Sequence, residues 1–170
     1  MQCYEKPKFT VNSEKTVKTK NKLNRYVSAR IIYQFGAARE QLDGTTIHQW
    51  LSIDENLEVT ISNEEVAKYI YELSKKYDTV GIIREFQTTT GKKVELKGGL
   101  YGWKINNSSE IEALLSNIKQ GDVIEKEPIY LQKAFSREGN EIGNTYIEIN
   151  ISKQYLWFYK DEKLIAQGPI

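Results

Sequence analysis

The sequence predicts an α+β fold: a mixed domain with two main helices on a sheet, followed by the opening strands of an all-β domain. Three observations predict it. Segments 63–77 and 110–120 carry apolar residues at helical spacing behind Ser-x-x-Glu starts. Short alternating or β-branched runs lie before, between and after them. Beyond a polar, glycine-containing stretch at 134–144, the chain becomes an aromatic strand-turn-strand pattern.

Taken in order, residues 4–13 (YEKPKFTVNS) read as extended, because Pro7 opposes a helix there. From Ser13 a polar helix follows, with Lys15, Lys18, Lys22 and Arg25 on one face. Residues 29–35 (ARIIYQF) form a strand that Gly36 breaks. A short second strand at 40–43 precedes a turn at Asp43-Gly44. Thr45 or Thr46 caps a short helix through TIHQWL, and 57–61 (LEVTI) alternates as a strand. In the helix at 63–77, Ser62 is the N-cap, Glu65 completes a capping box, and Val66, Tyr69, Ile70, Leu73 and Tyr77 form the stripe. Residues 83–88 and 93–96 make a hairpin, and 98–105 a glycine-broken strand. The second helix takes Ser109 and Glu112 as its capping box, Ile111, Leu114, Leu115 and Ile118 as its stripe, and Gly121 as its stop. Pro128 interrupts a strand over 123–133.

The expected organisation is therefore an extended segment and basic helix over 1–28, an α+β domain over 29–133, a linker at 134–144 and opening β-strands over 145–170. Those last 26 residues are too few to close a sandwich or barrel, so the remainder of that domain is expected outside this chain.

Composition narrows the chemistry. The only cysteine is Cys3 and the only histidine is His48, so no intramolecular disulfide and no Cys/His zinc site can form, and no cofactor is expected. Neither has a nucleophile, base or orienting group beside it, so Cys3 reads as an incidental thiol and His48 as a structural or surface residue. No apolar run approaches roughly 18 residues, so no membrane-spanning segment is expected. Residues 1–10 have no apolar signal-peptide core. A net charge of +1 argues against nucleic acid as a partner. The charge is uneven, however: residues 1–30 hold eight Lys/Arg against two Glu. The helix face bearing them is either a solvated face or a contact for an anionic wall polymer. The carboxylate pairs Glu64-Glu65 and Asp54-Glu55 read as structural, as acids at helix starts do. Gly98-Gly99-Leu100-Tyr101-Gly102-Trp103 lacks the Gly-Lys-Ser/Thr ending of a phosphate loop. Tyr101 and Trp103 are two apart and on a strand share a face, which is either the core side of the sheet or an aromatic platform for sugar rings.

The stretch 142–161, IGNTYIEINISKQYLWFYKD, resembles the opening of a YkuD-type L,D-transpeptidase catalytic domain: a strand, a Ser-Lys-Gln turn and a second strand. Upstream, Leu42-Asp43-Gly44-Thr45-Thr46-Ile47, Trp50-Leu51, Tyr77-Asp78-Thr79, Arg84-Glu85-Phe86, the Gly98 to Ile105 string and Glu127-Pro128-Ile129-Tyr130 resemble the peptidoglycan-binding domain that precedes this enzyme in Gram-positive bacteria. The resemblance covers about residues 20–170. It implies a wall-facing extracellular parent, anchored in the cytoplasmic membrane, that makes 3→3 peptidoglycan cross-links through a cysteine acyl-enzyme. The family's His…Ser-x-Gly-Cys-x-Arg segment has no counterpart in these residues. The expectation is an ancillary part, inactive alone, whose partners are peptidoglycan and its own catalytic domain. The rival reading is a stand-alone wall-binding or partner-binding module. The candidate glycan contacts are Tyr101, Trp103, Lys104 and Arg84, two rings to stack on sugars and two cations for stem carboxylates or wall phosphates.

Overall fold

The computed structural model describes residues 8–97 and 99–170; Cys3, Pro7 and Gly98, with the readings placed on them above, lie outside the described residues. In chain order the elements are α1 (Glu14–Val27), β1 (Arg30–Phe35), β2 (Ala38–Leu42), α2 (Gly44–Ile47), β3 (Leu51–Ile53), β4 (Val59–Ile61) and α3 (Asn63–Tyr77). Then come β5 (Arg84–Gln87), β6 (Lys93–Leu96), β7 (Lys104–Ile105), α4 (Asn107–Gln120), β8 (Val123–Lys126), β9 (Tyr130–Gln132), β10 (Tyr146–Asn150), β11 (Tyr155–Lys160) and β12 (Lys163–Pro169). The class is mixed α+β, with small sheets and no closed barrel among the described residues. The chain divides into two compact units, Met1–Lys75 with Asn106–Ile129, and Lys76–Ile105 with Tyr130–Ile170.

In the first unit β1 is the centre of a three-stranded sheet, antiparallel to β2 and parallel to β8. Its alternation sends Ile31, Tyr33 and Phe35 into the core. The hairpin to β2 turns at Gly36-Ala37, where the first strand was expected to break, and at Asp43-Gly44 the expected turn is replaced by the start of α2, because the Asp43 carboxylate accepts the Thr45 amide (2.9 Å) and caps that helix. Asp43, rather than Thr45 or Thr46, is therefore the cap. The strand β3 begins at Leu51, the last residue of the segment read as helical, and pairs antiparallel with β4 once the short helix has ended at a 3-10 turn, His48–Trp50.

The basic helix α1 starts where Ser13 accepts the Thr16 amide. At the head of α3, Ser62 Oγ accepts the Glu65 amide (3.2 Å), but the reciprocal half of the box is absent because the Ser62 amide donates to Trp50 O. The buried line of α3 is Val66, Ile70, Leu73 and Ser74. The helix α4 begins earlier than its stripe suggests. Asn106 caps it by accepting the Ser109 amide, which places Ser109 inside the first turn and rules out the Ser109/Glu112 box. The buried line of α4 is Glu110, Leu114 and Ile118, with Leu115 only half-buried. Gly121 ends α4 in the left-handed region (φ 74°), and an added Cβ would meet Arg25 O at 2.7 Å.

In the second unit β5 pairs with β6, β7 with β9, and β10, β11 and β12 form an antiparallel meander. Tyr146 stacks on Tyr159 across β10 and β11 (5.0 Å), and Phe86 meets Tyr146 edge-on (5.4 Å).

Leu73 and Leu114 fill the helix cores of the first unit, so Leu→Ala at either should cost about 2–5 kcal/mol in urea unfolding. A loss below about 1 kcal/mol at both would show that these faces are not buried.

Candidate functional site

The candidate site lies in the second unit, on the segment that joins β6 to β7. Gly102 sits between the two candidate aromatics with φ +144°, and an added Cβ would come within 2.6 Å of the Thr79 backbone. The chain kinks here instead of running straight, and β7 begins only at Lys104. Tyr101 and Trp103 therefore do not share a strand face. Trp103 is buried, its indole N–H donates to Ser136 O (3.2 Å), Tyr130 packs against it edge-on at 4.9 Å, and the Arg137 guanidinium covers its ring at 4.4 Å. Arg137 is itself held by Tyr77 O and the Tyr130 hydroxyl. Tyr101 remains 43% exposed, and Lys104 is exposed.

Glu141 orders this region. Arg84 donates to its Oε2 through both Nε (2.7 Å) and Nη2 (2.5 Å), while the Thr79 hydroxyl donates to Oε1. Thr79 Oγ1 in turn accepts the Trp103 amide (2.8 Å), and Tyr101 donates its hydroxyl to Glu141 O (2.9 Å). The Arg84–Glu141 pair is nearly enclosed. Arg84 is thus committed to Glu141 and to the carbonyls of Thr79 and Ile82, rather than presented to solvent. Beside it, Asp78 accepts the Ile105 amide (2.9 Å), and burial raises its carboxyl above the usual range. Residues 134–144 are irregular, as their composition predicts, and they supply Ser136, Arg137 and Glu141 to this cluster.

Sequence reasoning missed a second constellation, in the first unit. Glu110 is fully buried and accepts three donors: the Tyr33 hydroxyl (2.7 Å), Lys126 Nζ (2.7 Å) and the Ile129 amide (2.6 Å). Burial, and after it the Glu110 carboxylate, pushes the Tyr33 phenol far above its ordinary range. The available signal was a carboxylate standing four residues before Leu114 on the apolar stripe of α4. Nothing comparable marks Glu141, which lies in a stretch without periodicity. His48 is exposed, with Nδ1 3.0 Å from Gly44 O. Among the described residues no three His, Cys, Asp or Glu gather as a metal site, and no helix is long and apolar enough to cross a membrane.

A family model described as "Putative peptidoglycan binding domain" matches residues 9–125. The chain belongs to that family. No curated protein matches it. Among solved structures, the peptidoglycan-binding-family chain is similar to the Ldtfm–avibactam carbamoyl enzyme, at 27% identity over 90% of this chain and 60% of that one, with a TM-score of 0.59. It is similar also to a cysteine-to-serine mutant of the Enterococcus faecium L,D-transpeptidase, at 28% identity over 89% of this chain and 60% of that one, TM-score 0.59. The chain thus spans 60% of the length of these L,D-transpeptidases. The family match takes in Arg84, Tyr101, Trp103, Lys104 and Glu110, whereas Glu141 lies beyond it.

The Tyr33–Glu110 bond has a consequence at alkaline pH. Because the folded-state phenol is raised, the folded chain keeps a proton that the unfolded chain releases above about pH 10, so this group's stability contribution falls as pH rises past that point. Urea melts from about pH 8 to about pH 11 should fall more steeply for wild type than for Tyr33→Phe. Parallel slopes would contradict the assignment.

Proposed function

We propose that these residues are the non-catalytic, wall-binding part of an extracellular L,D-transpeptidase that makes 3→3 peptidoglycan cross-links, its parent being anchored in the cytoplasmic membrane. In this reading residues 29–133 bind peptidoglycan behind the N-terminal helix, 134–144 connect, and 145–170 are the opening strands of the catalytic domain that the first part positions. One observation carries the proposal: a chain whose residues 9–125 match a peptidoglycan-binding family is also similar, over nine-tenths of its length, to L,D-transpeptidase structures. Chemistry supports the division of labour. Acyl transfer through cysteine needs a thiolate, a base and oxyanion donors fixed together. Cys3 and His48 are the single residues of their kinds here, and neither carries such a motif.

The glycan contact of this reading is the exposed ring of Tyr101 together with the Lys104 ammonium, which faces stem-peptide carboxylates. Trp103 and Arg84 serve as the frame: Trp103 packs beneath Arg137, and Arg84 stands 5.9 Å from the Tyr101 ring while it holds Glu141.

Co-sedimentation with purified sacculi stripped of phosphate polymers tests the proposal. Wild type should bind saturably. Lys104→Glu should weaken binding by about fivefold or more, the size of a contact worth about 1 kcal/mol, with its thermal melt unchanged. Trp103→Ala should instead lose about 3–5 kcal/mol of stability. Absence of wild-type binding would remove the wall-binding reading.

A further inference from the structure

We propose that the basic face of α1 is a second binding surface, for a wall-linked polymer that carries a phosphodiester charge in every repeat. The inference rests on the wall-facing reading above, and it concerns the first unit alone. Residues 1–30 concentrate positive charge in a chain whose net charge is only +1. Within α1, Lys15, Lys18, Lys22 and Arg25 recur at i, i+3, i+7 and i+10, which sets four cations on one face along about 15 Å of helix.

Beside this face runs a cleft of about 350 Å³ between α1 and the loop joining β3 to β4. Its floor is built in advance. The Thr19 hydroxyl donates to Leu57 O (2.7 Å) across 38 residues of chain, and Asp54 Oδ1 accepts the amides of Asn56 (2.9 Å) and Glu58 (2.7 Å). Leu57 is held in the left-handed region, at φ 60°. A bulky residue in that region is costly, so the surrounding bonds impose the loop's shape.

The carboxylates that face the cations are few and loosely held. Glu14 pairs with Lys18 (2.5 Å) and Glu58 with Lys15 (3.0 Å), and the side chains of both acids are more than half exposed. Pairs this exposed are worth little and give way to a better anion. Among the described residues no carboxylate pairs with Lys22 or Arg25. Lys22 reaches only Val59 O, at 3.4 Å, and both cations lie over the Tyr26 ring, at 5.9 and 5.8 Å. No buried donor encloses a single anion here. Cations strung along a helix, Lys18 and Arg25 exposed and Lys15 and Lys22 half-buried, instead suit a chain of repeated charges, which gains by releasing its counterions at several points at once. Lysine ammoniums, as compact point charges, suit phosphate oxygens.

The test uses the full chain and two preparations of sacculi, one with its phosphodiester polymer intact and one stripped by hydrofluoric acid. Wild type should bind the intact sacculi about tenfold more tightly at low salt, and the difference should vanish at high salt. Lys18→Glu with Arg25→Glu should abolish that difference and leave binding to stripped sacculi at the wild-type level. Lys20→Glu, off this face, should keep the difference. If the reversed pair fails to fold, Lys18→Gln with Arg25→Gln should give the same loss. Soluble polyphosphate should displace the chain from intact sacculi at concentrations where polyglutamate does not. Equal binding to both preparations, retention of the difference by the double variant, or equal competition by polyglutamate would each overturn the proposal. Failure on stripped sacculi alone would instead strike the peptidoglycan reading.

Discussion

A single carboxylate organises the first unit. Glu110 enters the core from α4 with three donors waiting for it, and those donors come from three places: β1, β8 and the backbone at Ile129. Tyr33 and Lys126, two of them, are register partners in the parallel pairing of β1 with β8. A parallel pair cannot be closed by a tight hairpin, so its register must be set by something other than a turn. Glu110 supplies that constraint, since a slip of one residue would aim one donor away and leave a charge buried without its partner. The Lys126 ammonium also lies 5.6 Å from the Tyr33 ring, which ties the same two positions a second time.

The second unit repeats the device with different parts. Glu141 gathers Arg84, Thr79 and, through its carbonyl, Tyr101, and Thr79 passes the order on to the Trp103 amide. This unit has little regular structure around β7, so side-chain bonds carry the organisation that longer ladders carry elsewhere. The outcome decides which side chains reach solvent. Trp103 is drawn beneath Arg137, while Tyr101 and Lys104 are left facing solvent on a kinked, braced segment.

Periodic signals are legible in the sequence. The apolar stripe of α3, the hairpin of β5 with β6 and the meander from β10 to β12 all stand where their patterns put them, because each depends on spacing within a few residues. Capping is less legible. Asp43 and Asn106 cap helices that the pattern assigned to Thr45 or Thr46 and to Ser109, since several adjacent residues were all competent caps and only the backbone chose among them. The strand β3, which starts at the last residue of TIHQWL, left no pattern because three residues are too few to show a period. At the candidate site, alternation put Tyr101 and Trp103 on one face, but the positive φ at Gly102 breaks the alternation on which that rule depends. Partners distant in sequence, such as Glu141 for Arg84, left no local trace.

Under the proposed function, these residues contact the wall and do not themselves make cross-links. One incubation examines both halves together. The purified chain is mixed with phosphate-stripped peptidoglycan carrying tetrapeptide stems, the bound fraction is measured against protein concentration, and the muropeptides are then analysed by mass. The account predicts saturable binding with the cross-link composition unchanged. Failure to bind, or the appearance of new 3→3 cross-linked muropeptides, would contradict it.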